Sequence, residues 1–324
     1  MIYIGIDTSN YTTSVAAMGD NIHSLRKLLY VKQGERGIRQ SDGVFQHMKL
    51  LPKLYDELVK IIDLNDVGAV GVSVKPRNVE GSYMPVFLAG YGYAQVIADT
   101  LNVPLIEFSH QDGHIMAGVF SSMGDKLLDN EFISVHLSGG TTEILKSRYE
   151  NGRFENEIIG GTKDISAGQY IDRVGVRLGM SFPAGKHMEE AANQTENAIK
   201  LPVSTSGTYM NFSGSETKAI RMADSCDAGE LSRGVLISVA QALIKTINNA
   251  LCEYGLNNVL MVGGVASNTI IRKLLDENIE GNVYFANKEY STDNALGIAV
   301  MTKKFAEMGY GTKNRYSFTD KSIR

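Results

Sequence analysis

Cysteine is scarce in this chain of 324 residues: there are two, Cys226 and Cys252, in separate segments and in no CxxC pair. A reduced, cytoplasmic setting is the one such usage leads us to expect. No stretch of about 18 consecutive apolar residues occurs, so no membrane span is expected. The first residues, Met1-Ile2-Tyr3-Ile4-Gly5, carry no basic leader and read as a buried strand, which argues against a secretion signal. Positive charge is not in excess either. The formal net charge is -4, so no global field advertises a nucleic-acid partner. Basic residues do gather locally, at Arg26-Lys27, at Lys32, Arg36 and Arg39, and toward the C-terminus at Lys303, Lys304, Lys313, Arg315, Lys321 and Arg324. Solvated surface is the plain reading of these clusters, and an RNA-docking patch is the alternative. What is present is ordinary globular composition, 43% hydrophobic and 21% charged, in a length that divides into about two domains.

Comparing the two halves reveals the organisation. Ile2 to Ile6 alternates into a small polar turn, Asp7-Thr8-Ser9-Asn10; Thr12 to Met18 reads as a returning strand and His23 to Val31 as a third. A Gly-containing loop from Gly34 to Gly43 precedes a helix over Val44 to Ile62, with Pro52 expected to kink or break it, and Gly68 to Val74 reads as a buried strand. The second half repeats this order. Phe132 to Leu137 is a strand that ends in Ser138-Gly139-Gly140-Thr141, Thr142 to Ser147 returns, Phe154 to Ile159 follows, and Ala167 to Leu178 is helical. A long amphipathic helix over Leu231 to Tyr254, a strand over Val259 to Val262 and the turn Gly263-Gly264 complete it. The expectation is a duplicated α/β protein of two lobes, each a mixed sheet flanked by helices, with a ligand cleft between them. The boundaries expected are 1–130 for the first lobe, with a C-terminal helix 292–324 packing back on it, and 131–291 for the second.

Two strand-to-strand turns hold the small residues that phosphate recognition needs. Asp7-Thr8-Ser9 and Ser138-Gly139-Gly140-Thr141 occupy equivalent places in the two repeats. Hydroxyls and free backbone N–H groups on a tight turn form a concavity suited to an anion, although hairpins favour the same residues without any ligand. A third element, Gly263-Gly264-Val265-Ala266-Ser267-Asn268, joins a buried strand to a helix and would let a base or ribose pack on backbone. Together the three turns resemble the nucleotide-binding set of the actin-like (ASKHA, sugar-kinase-like) ATPase superfamily.

His110-Gln111-Asp112-Gly113-His114 places two imidazoles four residues apart, on one face if the segment is helical. Neutral imidazoles suit zinc or iron, and a carboxylate is expected to complete such a site. A zinc-protease reading fails because Gln111 stands where a general-base glutamate is needed. His23, His47, His136 and His187 have no partner at ligand spacing.

From Ile4 to about Ala299 the chain resembles the TsaD family, which makes threonylcarbamoyladenosine in tRNA. The family's His-x-x-Gly-His motif is matched by His110, Gly113 and His114, and its Thr-Asp-Asn motif by Thr292-Asp293-Asn294. Leu137-Ser138-Gly139-Gly140-Thr141 is similar to the family's substrate loop. Asp164 to Asp172 matches Asp-x-x-Ala-Gly-x-x-x-Asp, Pro183-Ala184-Gly185 the Pro-Gly-Gly turn, Phe212-Ser213-Gly214 the Phe-Ser-Gly segment, and Asn268 the Gly-Gly-x-x-x-Asn position. The resemblance implies a divalent ion, Fe2+ or Zn2+, on His110, His114 and Asp293. It implies an adenine nucleotide, ATP or threonylcarbamoyl-AMP, against Asp7, Thr8, Ser9, the 137–141 loop, Asp172, Gly185, Gly263, Gly264 and Asn268. The implied partners are tRNA and TsaB/TsaE-type proteins, and no catalytic acid or base is assigned.

Departures accompany the match. Thr141 stands where the family has histidine, Asp112 where glutamate is usual, and Ile165 and Gln169 replace two carboxylates. Lys75-Pro76-Arg77-Asn78 replaces a Gly-Pro-Gly loop, and Ser215-Glu216 marks a one-residue insertion. Three readings follow: transfer to tRNA, transfer of a carbamoyl or acyl group to another acceptor, and a nucleotide-binding regulatory partner with little turnover.

Overall fold

A computed structural model describes residues 1–31, 38–287 and 294–310. The chain forms two compact units. Unit 1 holds Met1–Phe120, the segment Tyr149–Glu155 and the C-terminal stretch with the last long helix; unit 2 holds Ser121–Arg148 and the chain from Asn156 onward up to that stretch.

Unit 1 begins with β1 (Ile2–Thr8), β2 (Thr12–Met18) and β3 (Ile22–Leu28), followed by α1 (Gln40–Val59), β4 (Val67–Lys75), α2 (Phe87–Leu101), β5 (Leu105–Ser109) and α3 (His110–Ser121). Its sheet runs β3-β2-β1-β4-β5, with antiparallel pairing in the meander and parallel pairing of β1 with β4 and β4 with β5. The core is aliphatic: Ile4, Ile6, Val70 and Val72 from the sheet meet Leu51, Leu54 and Leu58 of α1 and Ala94 and Ala98 of α2.

In unit 2 come β6 (Phe132–Leu137), β7 (Thr142–Glu150), β8 (Arg153–Thr162), α4 (Ala167–Arg177), α5 (Gly185–Ala192), β9 (Ser204–Ser206), β10 (Tyr209–Asn211) and α6 (Ser213–Met222). Next are α7 (Ala228–Tyr254), β11 (Asn258–Val262), α8 (Thr269–Asn278) and β12 (Asn282–Phe285). The sheet order is β12-β11-β6-β7-β8-β10-β9. Read from β8 to β12, it reproduces unit 1: a three-strand meander, then two later strands beside the first. The duplication expected from the sequence is therefore the fold, with the short β9–β10 ribbon added at one edge.

Helix α7 is long and apolar enough to cross a membrane, but 61% of its most apolar window is buried and it forms the spine of the unit 2 core. Asp227 caps its start by accepting from the Glu230 N–H at 2.9 Å, and Gly255 ends it at a φ of 65°. Such an N-cap contributes about 1 kcal/mol, and a left-handed C-terminal residue favours glycine.

Of the kink or break expected at Pro52, the break does not occur. Helix α1 runs unbroken through it. Proline cannot donate to the carbonyl four residues earlier, which strands Met48. Here the Tyr93 hydroxyl of α2 donates to the Met48 carbonyl at 3.4 Å, while Leu51 and Leu54 hold the helix to the core on either side.

The last long helix, α9 (Asn294–Phe305), packs across β1, β2 and β4. Small residues allow a very close approach. A Cβ on Gly5 would strike the Ala295 carbonyl and Ala299 backbone, one on Gly71 the Thr302 hydroxyl, and one on Gly297 the Gly113 carbonyl of α3. Helices α3 and α9 thus cross backbone against backbone at Gly113 and Gly297.

Candidate functional site

Three parallel strands of unit 1 end at one place. Asp7 lies at the carboxyl end of β1, Ser73 near the end of β4, and β5 runs into α3 at His110. Strand ends of open α/β sheets are where ligands gather. The His110 Nδ1 lies 2.8 Å from Asp7 Oδ1, and the Ser73 hydroxyl donates to the same oxygen at 2.5 Å. Asp7 is fully buried, and its other oxygen, Oδ2, is buried with no hydrogen-bond partner among the described residues. The His110 and His114 rings sit with centroids 4.6 Å apart, close to edge-on, and Phe87 flanks His110 at 5.7 Å. The helical pair expected from the sequence is therefore real, and both imidazoles share one face.

Asp293 lies outside the described residues, immediately before α9 in sequence. Among the described residues no group of three or more His, Cys, Asp and Glu side chains is set for a metal. The donors present nevertheless suit a cation. Two adjacent imidazoles, one of them hydrogen-bonded through its far nitrogen to a carboxylate, are the usual arrangement of histidine ligands.

The other members of the first turn have local roles. Thr8 donates to the Val86 carbonyl at 2.9 Å and accepts from the Gly90 N–H at 3.1 Å, which ties β1 to α2. Ser9 closes the β1–β2 turn through its N–H to the Thr12 carbonyl at 3.1 Å. His47, which the sequence left without a role, is fully buried beneath that turn. Its Nε2 meets the Ser9 carbonyl at 2.8 Å and its Nδ1 the Thr13 hydroxyl at 2.7 Å, and burial lowers its pKa. The Nε2 must then carry the proton, because the carbonyl can only accept. A neighbouring strand residue with a hydroxyl was the sequence signal for it, and that pattern is too common to read.

Asp112 is buried at the start of α3. Its Oδ2 accepts from the Ser109 N–H at 3.2 Å, while the Ser109 hydroxyl accepts from the Asp112 N–H at 3.1 Å, a reciprocal cap. Asn78 also donates to Oδ2, at 2.7 Å. Burial pushes the carboxyl up to about 6 despite those donors and the nearby Arg153 charge. Two departures from the family pattern, at Asp112 and in the Lys75–Asn78 loop, are thus partners.

In unit 2 the loop after β6 meets the start of α4. Ser138 and Thr141 close it, with the Ser138 N–H on the Thr141 carbonyl at 2.9 Å and the Thr141 N–H on the Ser138 hydroxyl at 3.1 Å. Ser166 donates to the Gly139 carbonyl at 2.8 Å, and the Ala167 N–H donates to the Thr142 hydroxyl at 2.8 Å. Gly168 lies flush against this loop, where a Cβ would stand 2.5 Å from the Gly139 Cα. By contrast, Cβ atoms on Gly139, Gly140 and Gly185 would meet nothing within 4 Å among the described residues, so packing against those residues does not require glycine there. Gly263, at a φ of 97°, abuts the Leu137 carbonyl at the neighbouring strand end. Leu137 itself is buried in the core, Gly264 opens a short 3-10 turn, and Asn268 caps α8 by accepting from the Ile271 N–H at 3.0 Å.

Asp172 is half-buried on α4, where burial raises its pKa while it accepts from the Ala184 N–H at 2.7 Å. That bond ties α4 to the Pro183-Ala184-Gly185 turn. Gln169, another departure, completes a capping box with Ser166, and Ile165 packs on the unit 2 core.

Asp164 accepts from the N–H groups of Ile165, Phe212 and Ser213 at 2.7, 2.9 and 3.0 Å, and so fastens α6 to the loop before α4. Burial pushes its pKa up, but these donors outweigh it and hold the carboxyl at about 2. Between pH 4 and 2 the unfolded chain then binds more protons than the folded one, so stability should fall as acid is added through that window. Urea melts of wild type and Asp164→Asn across pH 2–5 test this. The variant should be less stable at neutral pH, with a shallower loss on acidification.

Comparison with known proteins bears on the family and the fold. The family model for tRNA N6-adenosine threonylcarbamoyltransferase, TsaD, matches residues 27–300. The enzyme of that name from Methanopyrus kandleri is 27% identical over 307 residues, which is 92% of this chain and 86% of that one. A probable bifunctional tRNA threonylcarbamoyladenosine biosynthesis protein of Methanocaldococcus jannaschii is 26% identical over 307 residues, and the chain spans only 54% of its length. Among solved structures, T. kodakarensis HypF superposes with a TM-score of 0.62 at 15% identity, covering 95% of this chain and 48% of that chain. A ROK family glucokinase from Streptomyces griseus gives 0.55 at 10% identity, covering 94% and 100%. At such identities these neighbours show the fold alone, and it is the actin-like ATPase fold. With the family model spanning most of its length, the chain belongs to the TsaD family of transferases.

Proposed function

We propose that the protein transfers a threonylcarbamoyl group from threonylcarbamoyl-adenylate to the N6 amine of the tRNA adenosine next to the anticodon. The observation that carries this reading is the His110–His114 pair at the start of α3, with His110 braced by the buried Asp7. His110, His114 and Asp293 would hold a divalent cation, Fe2+ or Zn2+. When bound, that cation supplies Lewis-acid polarisation to the phosphate-carbamate end of the substrate.

The chain's own residues do the rest by placement. Asp172, Gly185, Gly263, Gly264 and Asn268 would position the adenosine, and the Leu137–Thr141 loop would receive the threonylcarbamoyl phosphate. Gly139 and Gly140 are suited to that task because, among the described residues, nothing lies within 4 Å of where a Cβ would stand, which leaves room for a phosphate oxygen to approach their backbone. Asp7, Thr8 and Ser9 form the turn after β1, which His47 and α2 hold in shape. Attack by the adenosine amine forms the new C–N bond as AMP leaves, and orientation of the two reactants supplies much of the acceleration. The names of the relatives support tRNA as acceptor, and the glucokinase neighbour, solved with AMPPNP, supports a nucleotide on this fold. TsaB- and TsaE-type proteins would be its partners, in the cytoplasm.

Reconstitution with an adenylate-forming enzyme, threonine, bicarbonate, ATP and unmodified tRNA tests the reading by mass spectrometry of the nucleosides. Threonylcarbamoyladenosine should accumulate only when the protein is present. Tight nucleotide binding with no modified adenosine would transfer the case to another acceptor or to a regulatory role.

A further inference from the structure

Asp7 is placed oddly for a residue of a phosphate-binding turn. It is fully buried, and its bonded oxygen already takes two donors, the Ser73 hydroxyl at 2.5 Å and His110 Nδ1 at 2.8 Å. The second oxygen is buried and has no hydrogen-bond partner among the described residues. A carboxylate oxygen is an acceptor, so this contact places a proton on Nδ1 and leaves Nε2 as the nitrogen that can offer a lone pair to a cation. A buried carboxyl oxygen left without a donor is costly, because its desolvation is not repaid by a hydrogen bond. A positive charge on the far side of the imidazole would offset that cost.

We propose that Asp7 is a positioning residue that fixes His110 in the Nδ1–H tautomer, so that Nε2 alone is presented to the cation. The proposal deepens the metal-binding reading above and rests on it. Asp7 then acts through His110 rather than on phosphate, and the β1 turn and the metal centre become one device. The neighbouring rings of Phe87 and His114 limit rotation of His110, and the hydrogen bond selects which nitrogen faces out.

The tautomer is directly observable. In full-length protein labelled with 15N, long-range proton–nitrogen spectra should show His110 as the Nδ1–H form, both free of metal and with Zn2+. In Asp7→Asn the carboxamide offers a donor as well as an acceptor, so the Nδ1–H form should be lost or become a mixture. The Zn2+ affinity should fall about 10–100-fold, the usual cost of losing a partner of this kind. Metal-free Asp7→Asn should melt at the same temperature as wild type or higher, since an unsatisfied buried charge has been removed. A merely structural Asp7 would instead lower that melting temperature. His187→Ala, on the exposed side of α5, should leave the His110 tautomer and the Zn2+ affinity unchanged.

A wild-type His110 in the Nε2–H form would overturn the proposal, even if Asp7→Asn failed to fold. So would an Asp7→Asn protein that retained wild-type Zn2+ affinity. Should wild type bind no Zn2+ in a manner sensitive to His110→Ala, the metal reading itself fails. The metal-free spectrum still decides whether Asp7 sets the tautomer.

Discussion

Replacing His110 or His114 with alanine is expected to cut threonylcarbamoylation of tRNA by on the order of a thousandfold, with the fold retained. The size follows from what a Lewis acid contributes to a transition state that gathers negative charge, several kcal/mol, at about 1.4 kcal/mol per tenfold in rate. Both imidazoles project from the first turns of α3, whose burial rests on Ile115, Met116 and Val119 rather than on the histidines. Their truncation should therefore leave thermal melting close to wild type. His187→Ala is the fitting comparison, because that ring lies exposed on α5 beside Glu190, at 3.6 Å, and touches none of this chemistry. Single-turnover rates for the three variants, with melting curves beside them, separate loss of a cation ligand from loss of structure.

The second large effect is steric. Gly297→Ala would drive a methyl group into the Gly113 carbonyl of α3, with the Ala117 nitrogen 2.9 Å away. No flexible side chain stands there to move aside, so one helix must shift. Overpacking of this kind costs about 1–3 kcal/mol and more when backbone must yield. The result expected is a clear drop in the urea midpoint together with weakened metal binding, because the crossing fixes where α9 begins relative to the histidine pair. Gly140→Ala is the contrast. Nothing lies within 4 Å of its added Cβ, and its stability should stay within about 0.5 kcal/mol of wild type. If that glycine serves a phosphate, nucleotide affinity falls instead, which isothermal titration reads.

Legibility in the sequence followed the range of the forces involved. The meander of β1 to β3 and its copy in β6 to β8 were readable because turn residues and alternating apolar positions are local signals. So was the histidine pair, since i and i+4 on a helix need no knowledge of the rest of the chain. The break expected at Pro52 is absent for the opposite reason: its penalty is local, but the Tyr93 hydroxyl that meets the stranded carbonyl comes from α2. Buried His47 and the Asp7–Ser73–His110 cluster were equally hidden, because each joins residues far apart in sequence across adjoining strand ends. Departures from the family pattern also changed meaning once partners were visible. Gln169 completes a helix cap, and buried Asp112 pairs with half-buried Asn78 at the root of α3.

X-ray absorption at the metal edge of the purified full-length protein is the most direct test of the central claim, that α3 grips one cation with two imidazoles. Wild type should bind one metal per chain and show the scattering of two histidine rings. That signal should fall to one ring in His114→Ala if metal is retained at all. A wild-type spectrum without imidazole scattering, or one unchanged by both alanine variants, would contradict the account.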